Sequence, residues 1–330
     1  MARESNVIQC NTMQYKKQTL HLAAAEERFG TRLKKDLIKY RGLYLLFIPI
    51  VIYYVVFHYV PMYGLIISFK DFSPATGILG SQWAGLKHFK SFLSSPYFGR
   101  VFMNTINISF WSLAGGFPAP ILLALLINEV QGIRYKKLVQ TVSYIPHFIS
   151  LVVVVGMIKT FTADGGFLNN LLTAMHITTG EDMLNVKEYF VPIYVISGIW
   201  QGVGWGTIIY LAALSSISQD LYEAAEIDGA GRWQQTIRIT LPCLMPTIVM
   251  LLILQIGGLM NVGYEKIILM YNPLTYETAD VISSFVYRKG LLEASYSYSS
   301  AVGLFNSVIN FFLLITANYI SKKCGESAIW

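Results

Sequence analysis

Six stretches of this chain are each apolar over about the 20 residues that a helix needs to cross a bilayer core. They are Leu43–Phe69, Asn104–Ile127, Val142–Phe161, Phe190–Leu214, Leu244–Ile268 and Ala301–Ile320. In hydrocarbon every backbone N–H and C=O must be satisfied inside the segment, so spanning stretches of this kind are helices. The balance of residues agrees: 54% are hydrophobic and 13% charged, where a soluble domain carries about 25% charged. The expected fold class is an all-α integral membrane protein with six transmembrane helices. Pro49 and Pro61 interrupt the first stretch, which spans tolerate because neighbouring helices re-satisfy the freed carbonyls.

Lysine and arginine orient the spans. With the N-terminus inside, the inner segments hold sixteen of them and the outer segments eight, and an excess of positive charge marks the cytoplasmic side. Both termini are therefore expected in the cytoplasm of a bacterial cell, with the chain multi-pass in the inner membrane and in contact with its lipid. Polar sequence runs to Arg41 before the first apolar stretch, too far for a cleavable signal peptide. Residues 1–42 are expected to be a cytoplasmic segment, with an amphipathic helix around Leu22–Tyr40, and residues 321–330 a cytoplasmic tail.

The same features exclude several functions. The net charge of +6 is explained by topology, and no basic recognition motif suggests nucleic acid. Cys10, Cys243 and Cys324, and the five histidines, lack the spacing of a metal site or redox pair. No metal, cofactor or catalytic residue is expected, since paired carboxylates and nucleophile triads are missing. The spans hold almost no ionisable groups, with Glu265 and Lys266 together near the outer end of the fifth. Ion-coupled carriers usually mark their pathways with such groups, so a neutral cargo, or one bringing its own water, is expected.

Ser215–Cys243, between the fourth and fifth spans, has more structure than a connection needs. Ser218 or Asp220 can cap a helix, Glu223, Ala224, Ala225 and Glu226 favour it, and Gly229 can end it in the left-handed conformation. A second helix follows, with Trp233, Ile237 and Leu241 at i, i+4 and i+8, and Pro242 and Pro246 precede the fifth span. A short acidic helix with small residues on the cytoplasmic face suits a partner's groove; a solvated connecting helix would share that composition.

The spacing Glu223-Ala224-Ala225, three residues, Gly229, nine residues, Ile239, one residue, Leu241-Pro242 resembles the coupling loop of permease subunits of ATP-binding-cassette importers with the MetI-like fold. The resemblance covers residues 100–320 as a five-helix core with its coupling loop at 215–243, and residues 43–69 resemble the extra N-terminal helix of sugar-importer permeases. Leu126–Val130 with Tyr144–Ile149, and Asn261–Glu265 with Tyr271–Pro273 and Tyr276–Val281, resemble the polysaccharide and multiple-sugar branch.

Several expectations follow from that resemblance. The partners are a second, related permease in a heterodimer, a dimer of ATPase subunits, an extracellular solute-binding protein and a sugar. The ATPase contacts are Glu223, Ala224, Ala225, Asp228, Gly229, Ile239, Leu241 and Pro242. The chain has no Gly-x4-Gly-Lys-Ser/Thr motif, so the nucleotide site of that type belongs to another chain.

Sugars are held by aromatic faces and hydrogen-bonding side chains, which makes Trp200, Gln201 and Trp205, Asn261, Tyr264 and Glu265, and Asn104 and Asn107 the candidate pathway residues. Interfacial aromatic belts and helix-to-helix hydrogen bonds would use the same residue types. Gly202, Gly204 and Gly206 are read as helix-packing positions. The rival functions are import of a non-sugar solute such as a peptide by the same architecture, an ion-coupled secondary carrier, and a membrane enzyme.

Overall fold

A computed structural model describes residues 36, 38–130 and 132–323. The expected amphipathic helix around Leu22–Tyr40 lies largely outside the described residues, as do Cys10 and Cys324. The chain divides into two units, residues 1–64 and residues 65–330.

The described part of the first unit is helical. α1, Arg41–Tyr54, continues through a π turn at Val55–Tyr59. This turn lies directly ahead of Pro61, which cannot donate to the carbonyl four residues before it, and a π turn is one way a helix absorbs that gap.

Residues 65–330 hold the remaining spans. Two strands of two residues each, β1 at Lys70–Asp71 and β2 at Gln82–Trp83, pair antiparallel, and α2 follows at Lys87–Leu93. α3, Pro96–Gly116, starts at Ser95, whose hydroxyl accepts from the Tyr97 N–H at 3.2 Å, with Pro96 at the first helical position. Proline there loses no bond and presets φ. α4, Pro118–Glu129, continues it, giving a 34-residue apolar run from Pro96 to Glu129.

The third span departs from the expected single helix. α5, Ile133–Tyr144, runs on through a 3-10 turn at Ile145–Phe148, and that arm meets α6, Leu151–Thr162, at an angle of 96° across Ile149 and Ser150. Pro146 removes an N–H and clashes with the preceding turn. The Gln201 side-chain amide then donates to the Ile149 carbonyl at 3.2 Å, capping backbone that the bend leaves open. Among the described residues five helices are long and apolar enough to cross a membrane, or six when this bent pair counts as one span.

α7, Phe167–Ala174, precedes the fourth span, α8, at Lys187–Ser215. Of the three glycines read as packing positions, two are: a Cβ on Gly204 would sit 1.9 Å from the Ser143 carbonyl oxygen, and one on Gly206 2.8 Å from Pro120. A Cβ on Gly202 would meet nothing within 4 Å.

After α9, Gln219–Ile227, the fifth span begins earlier than expected. α10, Arg232–Gln235, a π turn at Thr236–Thr240 and α11, Leu241–Gly257, form one 26-residue run. The second helix of the loop is thus the start of the span, and the π turn sits where Pro242 would otherwise break the ladder. The run also ends earlier, at Gly257, where Leu314 leaves no room for a Cβ. Asn261, Tyr264 and Glu265 therefore lie beyond the span, with Tyr264 opening the short α12, Tyr264–Met270. α13, Tyr276–Ala279, and α14, Ile282–Tyr287, lead to the last span, α15, at Tyr296–Lys323.

Three packed clusters join these elements. Ile108, Val155, Phe190 and Ile267 link α3, α6, α8 and α12. Phe92, Val101, Phe285 and Val302 link α2, α3, α14 and α15, with the Phe92 ring 5.1 Å from Phe98 and 5.6 Å from Phe305. Ala124, Tyr210 and Leu244 link α4, α8 and α11. Lipid tails are as apolar as these side chains, so close packing and interhelical hydrogen bonds provide the association energy here.

Candidate functional site

Two regions gather the chemistry expected from the sequence. The first is α9 and its turn. The Ser218 hydroxyl caps α9 by accepting from the Asp220 N–H at 3.3 Å. Asp220 is thus in the first turn, where a negative charge complements the helix dipole. Gly229 has φ +77°, and the Ala230 N–H reaches back to the Ala225 carbonyl at 2.8 Å while Gly229 bonds to Glu226 at 3.0 Å. This closes the helix with a left-handed residue, which glycine adopts without a Cβ penalty.

The turn is fastened to the fifth span. The Tyr222 and Thr240 hydroxyls lie 3.0 Å apart, the Gln235 amide donates to the Ala230 carbonyl at 3.1 Å, and Arg232 reaches Glu129 at the end of α4, at 3.8 Å. Glu223, Ala224, Asp228, Gly229 and Pro242 are exposed, while Ala225, Ile239 and Leu241 are half-buried. Large apolar side chains flank them in the open: Ile227 is 87% and Trp233 74% exposed, with Leu221 and Ile237 also exposed. The expected apolar face at Trp233 and Ile237 is turned outward. Thr240 and Leu244 are the buried positions instead, because the π turn rotates the face that follows it. A rigid helix bearing small, acidic and exposed apolar groups is a protein-docking surface in form.

The second region is a cleft of about 520 Å³ bounded by the ends of α12 and α14 and the first turns of α15. Asn261 and Tyr264 line it, together with Ser283, Tyr287, Tyr296, Ser299, Asn306 and Ser307. Tyr264 stacks on Tyr287 with ring centroids 5.5 Å apart and planes 22° from parallel. Asn261 is held by the sixth span: its side-chain oxygen accepts from Asn306 and Asn310, each at 3.0 Å. The Asn310 oxygen in turn accepts from the Met260 N–H at 3.0 Å. Asn306 is 8% exposed, and its side-chain oxygen has no partner among the described residues. A buried acceptor without a donor costs about 1–3 kcal/mol. Asn306 and Asn310 were not singled out from the sequence. Their i, i+4 spacing inside an apolar span was the available signal, since it puts two amides on one helix face.

The other candidates are dispersed. Asn104 donates to the Glu277 and Asp280 carbonyls at 2.9 and 3.0 Å, clamping α3 to α13. Gln201 caps the bend in the third span, as described. Trp205 stacks flat on His147, 4.5 Å between centroids. Trp200 lines a separate, almost wholly apolar cavity of about 680 Å³ between α6, α7 and α8. Asn107 and Glu265 are exposed and do not line the cleft.

Electrostatically, one buried carboxylate organises the neighbourhood of the cleft. Asp280 is 0% exposed. It accepts from Arg288 at 2.6 and 3.3 Å and from the Ser284 hydroxyl at 2.8 Å, and Arg100 lies 3.6 Å away. The Arg288 guanidinium sits 5.2 Å from the Tyr276 ring centre and 5.7 Å from that of Phe285.

Comparison with known proteins places these regions in context. Residues 116–325 match the family described as binding-protein-dependent transport system inner membrane component. The chain is 44% identical over 301 residues to Protein LplB of Bacillus subtilis (strain 168), covering 90% of this chain and 92% of that one. It is 45% identical over 300 residues to the polygalacturonan/rhamnogalacturonan transport system permease protein YteP of the same organism, covering 91% and 93%. Among solved structures it is similar to a chain of a bacterial alginate ABC transporter in complex with an alginate pentasaccharide-bound periplasmic protein. The TM-score is 0.82 with 43% identity, over 90% of this chain and 100% of that chain. The protein belongs to the family of binding-protein-dependent transport system inner membrane components.

Proposed function

We propose that this chain forms half of the translocation pathway of an ATP-driven importer for an oligosaccharide delivered by an extracellular binding protein. The observation that carries the sugar assignment is the cleft at Asn261, Tyr264 and Asn306. Stacked tyrosines offer the flat apolar faces that sugar rings use, and hydroxyls and amides surround them, the Asn306 side-chain oxygen being without a partner among the described residues. One relative, a polygalacturonan/rhamnogalacturonan transport system permease, and a similar structure from an alginate transporter support the same class of cargo.

Residues 43–69 act as an additional span, 100–320 as the permease core and 215–243 as its coupling loop, with both termini in the cytoplasm. A related permease completes the pathway. A pair of ATPase subunits docks on Glu223, Ala224, Ala225, Asp228 and Gly229 and on the start of the fifth span at Ile239, Leu241 and Pro242. Closure of the ATPase pair pushes α9, and the fastenings from Tyr222 to Thr240 and from Arg232 to Glu129 carry that push into the fifth and second spans.

Glu223→Lys tests the coupling. The side chain is exposed, so the membrane fold is retained, and the ATPase is expected to dissociate from the solubilised complex. An ATPase that stays bound and active on this variant contradicts the assignment of Glu223.

A further inference from the structure

The π turn at Thr236–Thr240 is fastened to α9 at two points. The Thr240 side chain is buried, 3% exposed, and its hydroxyl donates to the Gln235 carbonyl at 3.4 Å. That bond uses its one proton, so the Tyr222 hydroxyl of α9, 3.0 Å away, is the donor in the Tyr222–Thr240 pair. The Gln235 amide, just before the turn, donates to the Ala230 carbonyl just past the end of α9. Gln235 and Thr240 stand five residues apart, the spacing of a π turn; an α-helix would pair the Gln235 carbonyl with the Ile239 N–H instead. In the α register Thr240 shifts by one residue against Gln235, about 100° around the axis and 1.5 Å along it. Its hydroxyl then cannot reach both Gln235 and Tyr222 with α9 where it stands.

The sequence supports both registers. Trp233, Ile237 and Leu241 recur at i, i+4 and i+8, a spacing that puts them on one face only in an unbroken α-helix. With the π turn in place, Trp233 and Ile237 are exposed, Leu241 is half-buried and Leu244 is buried. The turn itself is weak helix. Four of its five residues, Thr236, Ile237, Ile239 and Thr240, are β-branched, and the Thr236 hydroxyl bonds back to the Arg232 carbonyl at 3.0 Å, which weakens and bends a helix. Pro242 favours the π turn, because an α register sets its ring against the Arg238 carbonyl. Each register thus relieves a cost of the other, and the Tyr222–Thr240 bond adds to the π side.

We propose that Thr240 is a positioning residue for energy coupling: through Tyr222 it lets the position of α9 set the register of the fifth span, π while the two hydroxyls touch and α once a docked ATPase pair draws α9 away. This rests on the reading of α9 as the coupling helix and deepens it by naming what the push does. Loss of the Tyr222–Thr240 bond removes the side-chain support of the π turn. Its relaxation turns α10 by about 100° against α11, so the motion enters the span as a discrete step between two packed states, not as a gradual bend.

The complete importer, with partner permease, ATPase and binding protein, is reconstituted into vesicles, and labelled trigalacturonate taken up per ATP hydrolysed is measured. Thr240→Val keeps the branched shape without the hydroxyl. It is expected to lower uptake per ATP about tenfold with the ATPase still bound and hydrolysing, and Thr240→Ser to restore it. Tyr222→Phe is expected to give the same loss, and serves if the valine variant does not assemble. The double variant is expected to lose no more than either single one, since all three remove one bond. The register is read by electron paramagnetic resonance between spin labels at Gln234→Cys and Met250→Cys, both exposed and on opposite sides of the turn, with the native cysteines replaced by serine. Their distance is expected to shift by several ångströms when a non-hydrolysable ATP analogue closes the ATPase pair, and to stay at the shifted value in Thr240→Val. An unshifted distance overturns the proposal, as does unchanged uptake per ATP in Thr240→Val or release of the ATPase by it. If Thr240→Val couples normally while Glu223→Lys abolishes uptake, this inference falls alone. If Glu223→Lys leaves uptake unchanged, the coupling reading falls with it. If the native protein takes up no trigalacturonate, the spin-label distance alone decides.

Discussion

Gly204→Ala separates close packing from mere glycine tolerance in the fourth span. The added Cβ would lie 1.9 Å from the Ser143 carbonyl oxygen and 2.3 Å from its carbon. Both are backbone atoms, so no side chain can swing aside, and α5 and α8 must separate by more than 1 Å. Overpacking of this kind costs about 1–3 kcal/mol. The displacement also strains two contacts within a turn of it, the Gln201 bond to Ile149 and the stack of Trp205 on His147, and one such hydrogen bond adds about 1 kcal/mol. Alanine's better helix propensity returns about 1 kcal/mol. The net loss is about 1–3 kcal/mol, or roughly 2–12 °C in melting temperature at 2–4 °C per kcal/mol. Gly202→Ala is the internal control, because its Cβ meets nothing within 4 Å and it keeps the propensity gain. The assay is the melting of the detergent-solubilised protein. Gly204→Ala melting at or above the native protein, or Gly202→Ala melting as low as Gly204→Ala, refutes the packing account.

Other substitutions probe the cleft and its supports. Ala294 has φ +52°, a strained left-handed conformation, so Ala294→Gly is expected to stabilise by about 0.5–1 kcal/mol and to raise the melting temperature. Asp280→Asn leaves two guanidiniums without their shared carboxylate and is expected to cost about 3–5 kcal/mol, read as a large fall in melting temperature or loss of assembly. Tyr264→Ala removes one of the two stacked rings of the cleft; oligosaccharide uptake is expected to fall by about tenfold, corresponding to 1.4 kcal/mol, with the melting temperature little changed.

The spans and the helix and turn that precede the fifth span were legible because their signals are local. Twenty apolar residues, a serine cap and a glycine four residues past Ala225 act through nearest neighbours, and the observed Ser218 cap and Gly229 turn follow directly. The bend after Phe148 was less so. Spans tolerate prolines, and whether one kinks the helix depends on a distant partner such as Gln201. The fifth span was misplaced at both ends for similar reasons: the π turn before Pro242 lets the helix start at Arg232, and the contact of Gly257 with Leu314 helps end it. The cleft was half legible. Asn261 and Tyr264 carry suitable chemistry, but only folding brings Asn306 and Tyr287 beside them.

The central claim is that this chain passes an oligosaccharide across the membrane under the drive of a separate ATPase. Vesicles containing the chain with its partner permease and ATPase, supplied with loaded binding protein on one side and ATP on the other, measure it directly. Accumulation of labelled oligosaccharide is expected only with both ATP and binding protein, and Glu223→Lys is expected to abolish it. Accumulation driven by an ion gradient without the ATPase, or undiminished in the Glu223→Lys vesicles, would contradict the account.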